Sequence, residues 1–115
     1  MILVIDSDEI FGGCIVRALK KNGFEAELLT DAISAMNTIS EMGVPDLVFV
    51  DPMLSGPDGF TFLNEMASYA DTCKVPVVIV SERDFSGFDL SDYGVVGILN
   101  KNTMKPEEVV EYARR

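Results

Sequence analysis

Short apolar runs alternate with helical patterns along the chain. Ile2-Leu3-Val4-Ile5 is continuous and apolar, as in a strand buried on both faces. Phe11, Cys14, Ile15, Ala18 and Leu19 then recur at helical spacing on one face. On this reading Cys14 is a small buried apolar residue. Gly23, after Lys20, Lys21 and Asn22, is a helix stop. Phe24 to Leu29 reads as a second strand. Asp31 can cap a second helix with Ala32, Ala35, Met36 and Ile39 inside, ended by Gly43 and Pro45. Leu47-Val48-Phe49-Val50 is a third buried strand, and Asp51 to Gly59 a loop. Leu63, Met66, Ala67 and Ala70 mark a third helix. Val77 to Val80 is a fourth strand, with Pro76 tolerated at its start. Ser81 to Asp92 has little periodicity, so its helix is expected to be short or irregular. Val95 to Leu99 is a fifth strand. Pro106 opens a last helix, with Glu107 and Glu108 near its positive end and Arg114 and Arg115 near its negative end.

Five strands alternating with five helices predict an α/β domain built on a doubly wound parallel sheet, covered on both sides. Each crossover is expected to be right-handed. With strand order 2-1-3-4-5 the switch point lies between the first and third strands. Ligands of such sheets bind there, beyond the carboxyl ends of the strands. The residues just past those ends are Asp6-Ser7-Asp8, Asp51, Ser81 and Asn100-Lys101; only the second strand, ending at Thr30-Asp31, delivers its group elsewhere.

Such a cluster needs compensation. Two carboxylates about 4 Å apart repel by roughly 4 kcal/mol at an effective dielectric of 20. A divalent cation with oxygen ligands offsets this, and Mg²⁺ takes one or two carboxylates, a carbonyl and waters. The ammonium of Lys101 can share the task. A metal beside a lysine receives a phosphoryl group well, and a carboxylate there can become an acyl phosphate. Taken singly, Asp6 or Asp8 is an N-cap, Asp51 a turn residue, Ser81 a cap and Lys101 a surface lysine. Joint placement at one rim argues against this for Asp6, Asp51 and Lys101; for Asp8 the capping role stays open.

Composition narrows the classes. The 115 residues make one domain, and 48% hydrophobic content is enough for a packed core. Two cysteines and no histidine make neither a disulfide framework nor an ordinary zinc site. A net charge of −10 disfavours direct nucleic-acid binding and anionic membranes. With neither a basic start nor a long apolar run, the chain is expected to be cytoplasmic, with reduced thiols. No repeat, low-complexity tract or linker divides it.

The ordered set of motifs resembles the receiver domain of two-component response regulators over essentially residues 1–115. Its carriers are Ile2 to Glu9, Pro45-Asp46-Leu47-Val48-Phe49-Val50-Asp51, the loop Pro52 to Gly59, Val75 to Ser81, and Gly97-Ile98-Leu99-Asn100-Lys101. The resemblance implies a flavodoxin-like (βα)5 fold. It implies that Asp51 accepts a phosphoryl group from a histidine kinase or phosphotransfer protein. Asp6 would belong to an acidic Mg²⁺ pocket together with Asp51 and the carbonyl of Met53. Ser81 matches the switch hydroxyl, and Lys101 the family's lysine. Such a domain is a signalling module with at most slow self-dephosphorylation, acting on a downstream effector or output domain, and the resemblance leaves room for a homodimer.

The chain departs from the family pattern at four places. Ser7 stands where a second acid usually lies, with Asp8 as the candidate replacement among the metal ligands. Glu82 follows Ser81 in place of a small residue, Ile98 occupies the switch aromatic position, and Asn102 replaces a proline. These departures motivate an alternative, a degenerate receiver acting as a phosphorylation-independent interaction module. A remoter one compares Asp6-Ser7-Asp8 with the nucleophile motif of haloacid-dehalogenase-type phosphatases, which need a further acidic motif on a strand after the lysine. The chain ends at Arg115 without an output domain, which leaves open a stand-alone receiver or a piece of a longer regulator.

Overall fold

The computed structural model describes residues 1–54 and 58–115. Five parallel strands, β1 (Ile2–Ile5), β2 (Ala26–Leu29), β3 (Leu47–Val50), β4 (Val77–Ser81) and β5 (Val95–Asn100), form one sheet in the order β2-β1-β3-β4-β5. The helices are α1 (Glu9–Lys21), α2 (Ala32–Met42), α3 (Asp58–Ser68) and α4 (Pro106–Arg114). Every residue of β1, β3 and β4 is buried, as their unbroken apolar runs require when helices cover both faces.

Side chains alternate across the sheet with the period of two that a strand imposes. Leu3, Ile5, Val48, Val50, Val77 and Ile79 face one layer, closed by Ala35 and Ile39 of α2 and Phe62, Leu63 and Met66 of α3. Ile2, Val4, Leu47, Phe49, Val78, Val80 and Leu99 face the other, closed by Ile15 and Leu19 of α1 and Val109 of α4. The turn signals act as the sequence predicts. Asp31 caps α2 through Ser34 N–H, and Gly23 and Gly43 take φ of 90° and 97° just past α1 and at the end of α2.

Three expectations need correction. Cys14 is exposed, not buried. The buried stripe of α1 is Gly12, Ile15 and Leu19. A Cβ at Gly12 would lie 2.5 Å from Leu28 Cδ1, so the helix packs closely on β2 through a residue that carries no hydrophobic signal. Ala70 lies beyond α3 and is exposed; Phe62 takes the inner position instead. Last, no α-helix joins β4 to β5. That connection holds only a 3₁₀ turn, Ser91–Tyr93. Asp84 and Asp89 each accept a hydrogen bond from the backbone N–H two residues on, at Ser86 and Ser91. Such local bonds compete with helix. Phe85, buried, meets Phe60 edge-on at 6.0 Å between ring centres and closes the layer there.

Candidate functional site

The sheet's hydrogen-bond ladder runs one residue past the strands and so fixes the polar rim. Asp6 N–H donates to Leu29 O (3.0 Å), Asp51 N–H to Ile5 O (2.9 Å) and Lys101 N–H to Ser81 O (2.9 Å). At each strand end the chain then turns in the same way, with a side chain accepting the N–H two residues on. Asp6 Oδ1 accepts from Asp8, Asp51 Oδ1 from Met53 and Ser81 Oγ from Arg83, at 2.9, 2.9 and 3.1 Å. Asn100 Oδ1 does the same with Asn102 N–H. These turns use one acceptor of each acid and aim the other inward.

There the two acids converge on one cation. Lys101 Nζ lies 2.7 Å from Asp6 Oδ2 and 3.0 Å from Asp51 Oδ2, with the three side chains only 6%, 3% and 11% exposed. Among the described residues the ion pair is the polar contact that Asp6 Oδ2 makes. Burial pushes the Asp6 carboxyl above the usual carboxylate range, and the neighbouring Asp51 charge adds to the rise; Lys101 and the Asp8 N–H restrain it without cancelling it. For Lys101, burial favours loss of the proton, but the two carboxylates together outweigh it and hold the ammonium above its ordinary value. The ring of Phe11 lies 4.8 Å from Nζ and closes that side of the ammonium.

Asp6, Ser7, Asp8, Asp51, Met53, Ser81, Glu82, Arg83 and Lys101 line an open cleft of about 310 Å³. The residues expected at the site thus share one cavity. Asp8 is at its rim, and its Oδ1 is engaged by the N–H groups of Ile10 and Phe11, capping α1. Among the described residues no three Asp, Glu or Cys side chains lie close enough to share one metal ion. The carboxylates of Asp6 and Asp51 offer oxygen donors, which suit a hard divalent cation that keeps several waters. Ser55, Gly56 and Pro57 of the loop motif lie outside the described residues. Sequence reasoning missed Phe11 as part of the site, because helical spacing marks it only as core, and Arg83, which carries no motif.

No strand follows Lys101 among the described residues. Among those residues Glu107, Glu108 and Glu111 stand on α4, so the further acidic motif of the phosphatase reading finds no strand there. Nor, among them, is any helix long and apolar enough to cross a membrane.

Comparison with known proteins agrees with this geometry. The family model described as the response regulator receiver domain matches residues 2–114. Response regulator MprA of Mycobacterium sp. (strain KMS) is 31% identical over 83 residues, 72% of this chain and 35% of that protein. The phosphate regulon transcriptional regulatory protein PhoB of Escherichia coli (strain K12) is 32% identical over 82 residues, 71% of this chain and again 35% of its own length. The matched part is therefore about a third of those relatives. The crystal structure of the receiver domain of NtrX from Brucella abortus superposes with a TM-score of 0.85 at 28% identity, over 100% of this chain and 96% of that one. The chemotaxis response regulator CheY4 of Vibrio cholerae shares the fold, with a TM-score of 0.84 at 18% identity. From the doubly wound sheet, the acid–lysine cluster at its switch point and these relatives, the chain belongs to the receiver-domain family of two-component response regulators.

Proposed function

We propose that Asp51 is the phosphoacceptor of a two-component phosphorelay and that Lys101 and Ser81 serve its reaction. The observation that carries this reading is the placement of Asp51. Its carboxylate stands at the end of β3, held by Met53 N–H on one oxygen and by Lys101 on the other, and faces an open cleft. An Asp51 oxygen attacks the phosphorus of a phosphohistidine on a kinase or phosphotransfer protein. The P–N bond breaks, and the imidazole nitrogen leaves with the electron pair and takes up a proton. Lys101, freed in part from Asp51, neutralises an oxygen of the new acyl phosphate. The Ser81 hydroxyl, buried at the end of β4, donates to another. Asp6, Asp51 and the Met53 carbonyl would hold Mg²⁺, which supplies charge neutralisation between the carboxylates and the incoming phosphoryl group. Asp8, committed to its cap, contributes charge at the rim.

A second reading, a phosphorylation-independent interaction module, draws support from Ser7 in place of an acid and from the capping role of Asp8. Intact mass separates the two. The folded protein is incubated with Mg²⁺ and a small acyl phosphate, beside Asp51→Asn. A phosphoryl adduct absent from the variant is expected. No adduct on the folded wild type would transfer the assignment to the interaction module. In either case the partners expected are proteins: a histidine kinase or phosphotransfer protein upstream, an effector or output domain downstream.

A further inference from the structure

A closed circuit of contacts runs from Asp6 to Lys101 by a second route. Asp6 Oδ1 accepts from Asp8 N–H, Asp8 Oδ1 accepts from Phe11 N–H, and the Phe11 ring lies over Lys101 Nζ, which returns to Asp6 Oδ2. Phe11 is half-buried, so its ring is not wholly spent on the core. It also walls a small cavity of about 130 Å³ with Cys14, Ile15, Lys101, Met104 and Pro106. With the ring in place the Lys101 side chain is only 6% exposed; without it, water from that side would reach the ammonium.

We propose that Phe11 is a positioning residue for phosphoryl transfer, acting through Lys101; this rests on the reading of Asp51 as phosphoacceptor. An aromatic face attracts a cation within about 6 Å of its centre, and more strongly where water is excluded. Here it supplies a contact that neither carboxylate provides. The two acids pull the ammonium down into the pit, and the ring fixes where along the Asp6–Asp51 line it rests. That position decides whether Nζ meets the phosphoryl oxygen when the Asp51 contact loosens. Because the ring bears no charge, it holds the lysine without competing with the phosphate for it. The cap at Asp8 sets the first turn of α1 and thereby the ring.

The test compares wild type with Phe11→Leu and Phe11→Tyr. Leucine keeps apolar volume but has no ring; tyrosine restores the ring. Two quantities are read: the rate of Asp51 phosphorylation by a small acyl phosphate with Mg²⁺, and the NMR shift of the Lys101 Cε protons, which a ring face moves upfield. Phe11→Leu is expected to lose the upfield shift and to slow phosphorylation about fivefold, equivalent to about 1 kcal/mol at 1.36 kcal/mol per decade. Phe11→Tyr is expected to restore both. A normal rate in Phe11→Leu, or an equally slow Phe11→Tyr with the upfield shift intact, overturns the proposal. Absence of phosphorylation in wild type itself would instead strike the phosphoacceptor reading, while the shift still reports whether the ring holds the lysine.

Discussion

Replacing Lys101 by methionine removes the one cation shared by two buried acids. At an effective dielectric of 20, contacts of 2.7 and 3.0 Å are worth roughly 6 kcal/mol each before desolvation is counted. Removing one partner of a buried pair typically costs about 3–5 kcal/mol, because the other charge stays buried without it. The lower end applies here, since the cleft is open and Asp51 keeps some contact with water. Lys101→Met is therefore expected to lose about 3 kcal/mol at pH 7, or about 12 °C in Tm for a chain of this length. The pH dependence gives the argument its edge. The Asp6 carboxyl already lies above its ordinary 3.8, and without Lys101 it rises further. The folded variant then binds a proton that the unfolded chain does not, so its stability climbs as pH falls from 7 toward the unfolded value. Urea denaturation at pH 7 and pH 5, with equal m-values, measures both effects. A loss below about 0.5 kcal/mol at pH 7, or a deficit that widens at pH 5, would mean that Lys101 is not the counterion that keeps the buried acids charged.

Other expectations follow from single contacts. Asp51→Asn leaves one carboxylate for one ammonium and is expected to raise stability by about 1 kcal/mol while abolishing the phosphoryl adduct; denaturation and intact mass read the two. In Gly59→Ala the new Cβ would collide with the Pro52 backbone, which cannot swing aside; a loss of about 2 kcal/mol is expected, together with slower phosphorylation of the adjoining Asp51. Asp8→Ala should cost about 1 kcal/mol through the lost cap, and Asp8→Ser almost nothing; equal losses would show that Asp8 does not act as a cap. At high pH, wild type keeps the Lys101 contribution up to the ordinary value of 10.5 and loses it as pH rises through the raised one, a limb missing from Lys101→Met in alkaline denaturation.

The strands were legible because each buried run is apolar at every position, and the polar residue ending it marks where the sheet stops. Those strand ends place Asp6, Asp51, Ser81 and Lys101 at one rim from the sequence alone. The inner face of α1 was misread at Cys14, because the position in closest contact with β2 is a glycine, which no hydrophobic pattern reports. Asp8 was ambiguous in sequence for a physical reason: a carboxylate before a helix and one beside a metal look alike until the N–H groups that it accepts from are known. Phe11 escaped notice because its chemistry lies in its distance from a lysine ninety residues away.

The connection from β4 to β5 also bears on timescale. Three of the crossovers are helices, whose amides are locked in long cooperative ladders. The β4–β5 crossover has instead a few side-chain acceptors and one 3₁₀ turn. Its amides should exchange with solvent deuterium by local opening, well before those of β3 or β4. Because it begins at Ser81, this crossover can answer an event at the cleft without waiting for the rest of the molecule to unfold.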